Sequence, residues 1–300
     1  MELQWELMIF TLFVCLSAGI FAVQGTLALM NKGAKAQLPC LIVSLVSLAI
    51  GGIGSFLHLQ HWERIFNGFG HLTSGITQEL IAIVVFGIVL VVYFFMMRRH
   101  EELPEWLCVV AIIVSVVLVI VMSHSYNMAA RPVWDTPLLW LYYLANAGFF
   151  GALAVMAIAE AAKGADTCRA LLAKVALIAG IVQAVVTAIY VGFFMMASSA
   201  YTEVGNYFDP TMPTKAMEDP TAALSGVVAG DQALLFWLGV VVVGLLVPIV
   251  LAFLAKKAAA DGKEKVILPY SVIALVCAMG GALCFRMIIY VLGFSVFVFY

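Results

Sequence analysis

The chain has 300 residues, of which 65% are hydrophobic and 11% charged, with a net charge of −2 and a mean hydropathy of +1.11. Soluble domains lie nearer half apolar and a quarter charged, so a water-soluble globule is excluded. No nucleic acid is expected as a partner.

Apolar runs of about 20 residues, each enough to cross a hydrocarbon core of ~30 Å, recur along the whole length. They are continuous rather than alternating, which within a bilayer means helices and not a barrel. The first span is expected over 8–30. It is preceded by Glu2 and Glu6 instead of a basic segment, is too long for a cleaved signal and reads as retained. Further spans are expected over 38–57, 78–97, 104–124, 137–161, 169–197, 231–255 and 266–298. The expected fold is therefore all-α: one integral domain over 1–300, an eight-helix polytopic bundle.

Pro39, Pro104, Pro132, Pro137 and Pro269 fall at helix starts or in connections, and only Pro248 sits inside a span. The connections are short except 58–77 and 198–230. Six scattered cysteines form no metal spacing and read as small hydrophobes. A weak echo, AGIF…NKGA (18–34) against AGFF…AKGA (147–165), leaves open a parallel four-plus-four duplication or chance.

Orientation follows from lysine and arginine. The connections after spans 1, 3, 5 and 7, with their flanking turns, carry eleven: Lys32, Lys35, Arg98, Arg99, Lys163, Arg169, Lys174, Lys256, Lys257, Lys263 and Lys265. The other side carries Arg64, Arg131 and Lys215, and Arg286 lies within the last span. Both termini are expected outside a bacterial cytoplasmic membrane.

Polar residues then converge at one depth. His58 ends span 2 about 30 Å from the inner face, and Glu79 opens span 3 on the same side. His124, Tyr126 and Asn127 close span 4 there. Arg286 lies roughly 25 Å from the inner face, with Tyr290 one turn later on the same helical side. Titratable groups at such depth are costly to keep and mark functional sites.

Three chemistries compete for these residues. Bis-histidine haem needs imidazoles on facing helices, and only His58 and His124 lie at span ends. Quinol oxidation needs hydrogen bonds to the ring oxygens and acceptors for two protons, for which His58 leads and Glu79 relays. Arg286 either pairs with Glu79 or hydrogen-bonds a quinone oxygen; Tyr126 and Tyr290 are interface aromatics or ligands. Proton-coupled transport would also use Glu79 and Arg286, but such folds favour broken helices in matching repeats. His61 and His71 read as solvated, and the acidic loop bearing Glu203, Asp209, Glu218 and Asp219 as solvated or as a docking surface.

Five motifs, W-x-L-M-I-F-T (5–11), S-x-L-H-L (55–59), F-N…S-x-x-x-x-E (66–79), Y-N…P-x-W (126–134) and R-x-x-x-Y (286–290), together resemble the membrane anchor subunit of the dimethyl sulfoxide reductase family. The resemblance implies a haem-free anchor that binds no metal or covalent cofactor and oxidises menaquinol at the outer leaflet. Electrons would pass to a four-cluster iron–sulfur subunit and on to a molybdopterin catalytic subunit that reduces an S- or N-oxide. It further implies His58 as the quinol-site histidine, Glu79 as the acid opening the third helix and Arg286 as the last-helix arginine. His124 departs from the arginine expected before Tyr126-Asn127, and Gln60 from the glycine expected after His58-Leu59. A polysulfide-reductase-like quinol subunit shares the architecture.

Overall fold

Trp5–Leu29 forms α1, and the chain then lays down α2 (Gln37–His58), α3 (Gly75–Arg99), α4 (Glu105–His124), α5 (Pro137–Ala161) and α6 (Arg169–Ala197). A short α7 (Pro220–Ala229) precedes α8 (Leu235–Ala260) and α9 (Ile267–Val291). This computed structural model describes residues 3–59, 61, 67, 69–100, 102–197 and 220–295. Eight of its helices are long and apolar enough to cross a membrane, and no strand occurs among the described residues. Arg64, the acidic loop residues Glu203 to Asp219, Lys215 and the expected end of the last span at 298 lie outside them.

The ends obey local rules. Pro137 opens α5 behind Thr136, whose hydroxyl accepts from the Leu138 N–H at 3.3 Å. Three helices close with the same turn, each with a left-handed residue: Asn31 (φ 51°) after α1, Lys163 (φ 51°) after α5 and Gly262 (φ 70°) after α8. In each, the next N–H reaches back five residues, Lys32 to Leu27, Gly164 to Ala159 and Lys263 to Ala258, all at 2.9 Å. The carbonyls that a helix end leaves bare are thereby satisfied.

Burial sorts the helices into axis and shell. The most apolar windows of α1 and α5 are 67% and 72% buried, against 22% in α3 and 28% in α8, so α1 and α5 form the centre. They run parallel. Gly33 N–H donates to Thr167 Oγ1 at 3.1 Å at one end, and Arg286 bonds both helices towards the other. Midway, Gly19 and Gly151 touch backbone to backbone, and neither position has room for a Cβ.

Around that contact, α1 and α2 correspond in position to α5 and α6. A shift of 132 residues carries Trp5 to Pro137, Gly19 to Gly151, Asn31 to Lys163 and Gln37 to Arg169. The echo in the sequence set Gly19 against Gly148, almost one turn away. Gly148 has no heavy atom within 4 Å of its Cβ position, so it is not the axial glycine.

α8 departs from the simple span. Leu235–Leu246 is π-wound, and the α-helix begins at Val247, just before Pro248. The Val247 N–H donates to Val242 O, five residues back, and Pro248 has no N–H to give to Val243 or Gly244. In this wider stretch Gly244 meets Gly281 of α9 so closely that no side chain fits between them.

Candidate functional site

At one end of the bundle α1, α3 and α5 begin, and α2, α4 and α9 stop. The segment after α4 gathers them. Ser125 Oγ donates to Glu79 Oε1 at 2.8 Å, and Gly75 at the start of α3 lies against Ser125. Trp134 is 3% exposed and donates its indole N–H to Ile289 O of α9 at 2.9 Å. Tyr190 of α6 donates to Val133 O at 2.9 Å. One loop thus ties α3, α4, α6 and α9 together.

An aromatic stack follows from this anchoring. Trp134 stands edge-on between Tyr290, at 5.3 Å, and Tyr126, at 6.2 Å, with the Arg131 guanidinium 4.5 Å from its ring centre. Tyr290 is 1% exposed, and its hydroxyl lies beside Tyr126 without a well-formed hydrogen bond among the described residues. Removed from water and set beside Tyr290 and Glu79, the Tyr126 hydroxyl is held well above the usual phenol range. It therefore stays protonated and remains a donor.

Arg286 is completely buried. Its Nε donates to Thr11 Oγ1 at 3.0 Å, and Nη1 to Asn146 Oδ1 and Ala282 O, each at 3.1 Å. Nη2 donates to Thr11 O at 3.4 Å and to Cys15 Sγ at 3.7 Å. The Tyr143 ring lies 5.0 Å from the guanidinium carbon. Five N–H groups thus have five protein acceptors. The sequence offered an ion pair with Glu79 or a quinone ligand, and the ion pair is not formed. Among the described residues no carboxylate lies within 4.0 Å of Arg286, and each of its donors faces a protein acceptor. The charge is tolerated because helix carbonyls, hydroxyl, amide and ring dipoles surround it.

The candidate residues divide into a cluster and a rim. Glu79, Tyr126, Tyr290 and Arg286 come together. His58, the last residue of α2, is exposed and makes no polar or ring contact among the described residues. His124 is exposed as well, its ring edge-on to Trp140 at 5.4 Å. Trp140 donates to Asn127 Oδ1 at 2.7 Å, and Asn127 to Asp135 Oδ1 at 3.3 Å, so this side of the rim is a polar ledge. Sequence reasoning passed over Thr11, Asn146 and Tyr143. Asn146 carried a usable signal, since an amide in mid-span needs a partner.

Eight apolar helices with polar and titratable groups gathered at one end define a multi-pass membrane protein of the anchor type. A family model described as the DMSO reductase anchor subunit (DmsC) matches residues 1–218, and the chain belongs to that family. It is thus a membrane anchor of a DMSO reductase complex, associated with the catalytic part of that complex. The match includes His58, Glu79, His124 and Tyr126 and ends before Arg286 and Tyr290. Comparison with individual curated proteins found no match.

Proposed function

We propose that this anchor is the quinol-oxidising subunit of its complex. Menaquinol enters from the bilayer at the end of the bundle that carries His58 and Glu79, which faces outward. It gives up two electrons and two protons and leaves as menaquinone. His58, at the water boundary, accepts a ring-hydroxyl proton, and Glu79 relays the second. Tyr126 stays protonated as a donor to a ring oxygen. The electrons pass to a four-cluster iron–sulfur subunit seated on the polar ledge and then to a molybdopterin catalytic subunit that reduces an S- or N-oxide.

The observation that carries this reading is the Glu79–Ser125 hydrogen bond beside Tyr126 and the buried Tyr290 hydroxyl. It sets a carboxylate and phenols together where a helix meets the bilayer surface. The lysine and arginine imbalance supports both termini outside the cytoplasmic membrane. A haem-free site is favoured because the His124 ring is taken up edge-on against Trp140. Transport fits less well: α8 is π-wound before Pro248, whereas α3, also third in its half, is α-helical throughout, so no matched pair of broken helices arises.

The test uses the whole complex in native membranes, driven by a reduced menaquinol analogue. His58→Arg and Glu79→Gln should each cut quinol-driven acceptor reduction by tenfold or more. Reduction driven by an artificial donor to the catalytic subunit should be unchanged. Full quinol turnover in either variant would remove that residue from the site.

A further inference from the structure

Away from this end, α5, α6, the π-wound part of α8 and α9 line a small cavity of about 10 Å³, about the room of one water. Its polar lining comes from Tyr142, Asn146, Gln183 and Thr187, with Gly244 and Gly281 forming the backbone wall. Gln183 is 3% exposed; its Nε2 donates to Thr187 Oγ1 at 3.1 Å, while its buried Oε1 accepts from no protein donor. Asn146, 2% exposed, gives its oxygen to Arg286 Nη1. A guanidinium only donates, so this bond fixes the amide orientation and turns the Asn146 N–H groups away from Arg286, one of them beside the Tyr142 hydroxyl and the other free for a further acceptor. The donor missing at Pro248 would have served Val243 or Gly244, and Gly244 lines the cavity.

We propose that this cavity binds one ordered water that accepts from the Asn146 amide and donates to Gln183 Oε1. The hydrogen bonds then run in one direction, from Arg286 through Asn146 and the water to Gln183 and Thr187. Water is the ligand whose chemistry fits. A metal cation would meet the Asn146 N–H groups with the Arg286 charge just behind them, and an anion would meet the Gln183 oxygen. Only a group that both donates and accepts satisfies the two amides together. The water holds Asn146 in the orientation that serves Arg286, which makes Gln183 a positioning residue for the guanidinium. None of this depends on quinol as the substrate.

The direct test is a density map of the assembled complex at better than about 2 Å resolution. A peak within hydrogen-bond distance of both Gln183 Oε1 and Asn146 Nδ2 is expected. No peak at a contour where other buried waters are visible overturns the proposal. A second test reads the sign of a thermal shift. In a dry cavity the Gln183 oxygen is an unsatisfied burden, and Gln183→Leu should raise the melting midpoint or leave it unchanged. With the water bound, Gln183→Leu should lower the midpoint by about 2–4 °C beyond Thr187→Val, which removes the direct side-chain bond and the Thr187 hydroxyl's own bond to Gln183 O. A fall no larger than that of Thr187→Val overturns the proposal, as a rise does.

Discussion

A buried arginine without a carboxylate partner changes what mutation at that position should report. If the role of Arg286 is to hold α9 to α1 and α5, Arg286→Lys keeps the charge but leaves two of five acceptors unserved. It should cost about 1–3 kcal/mol, seen as a lower melting midpoint and less anchor in the membrane, with the quinol KM of the surviving complex nearly unchanged. A raised KM at unchanged stability would return Arg286 to the ligand shell. Glu79 should behave in the opposite way: Glu79→Gln keeps an acceptor for Ser125, so assembly holds while quinol turnover falls. The sequence made the depth of these residues legible because helix rise converts position into height. It could not reveal that Arg286 is already satisfied, since its acceptors Thr11 and Asn146 stand 275 and 140 positions away and look unremarkable in apolar helices.

At the scale of the helix pair, the axial glycines set how close the two halves come. Gly151→Leu should force α1 and α5 apart and abolish recovery of a monodisperse anchor, whereas Gly148→Leu, three residues away with open space at its Cβ position, should be recovered at wild-type yield. Equal tolerance of the two would dismiss Gly151 as the axial glycine. The sequence left the echo open between duplication and chance, because apolar helices share small and aromatic residues. The structure adds that α1 and α5 end in the same left-handed turn at matching places, a turn that α8 shares. The spans of α5 and α6 were readable to the residue from Pro137 and Arg169. The π-wound start of α8 was not, because nothing in an even apolar run announces a change of hydrogen-bond register.

Across the whole molecule, charge is sorted between the two ends of the bundle, and Arg169 stitches one of them by bonding Glu160 at 2.7 Å and Glu264 at 2.5 Å. If that end faces the cytoplasm, a single reactive cysteine in place of Thr73, exposed at the opposite end, should be modified by an impermeant maleimide in intact spheroplasts, and one in place of Asp261 should not. The reverse pattern would invert the topology. The bond from Arg286 to Thr11 also bears on how the protein is made. A lone arginine entering lipid costs about 2.5–3.5 kcal/mol, and this one arrives on α9, after α1 and α5. Its acceptors on α1 and α5 have by then left the ribosome. The earlier helices therefore offer α9 a set of acceptors, and the bond to Thr11 can form only once α1 is in place.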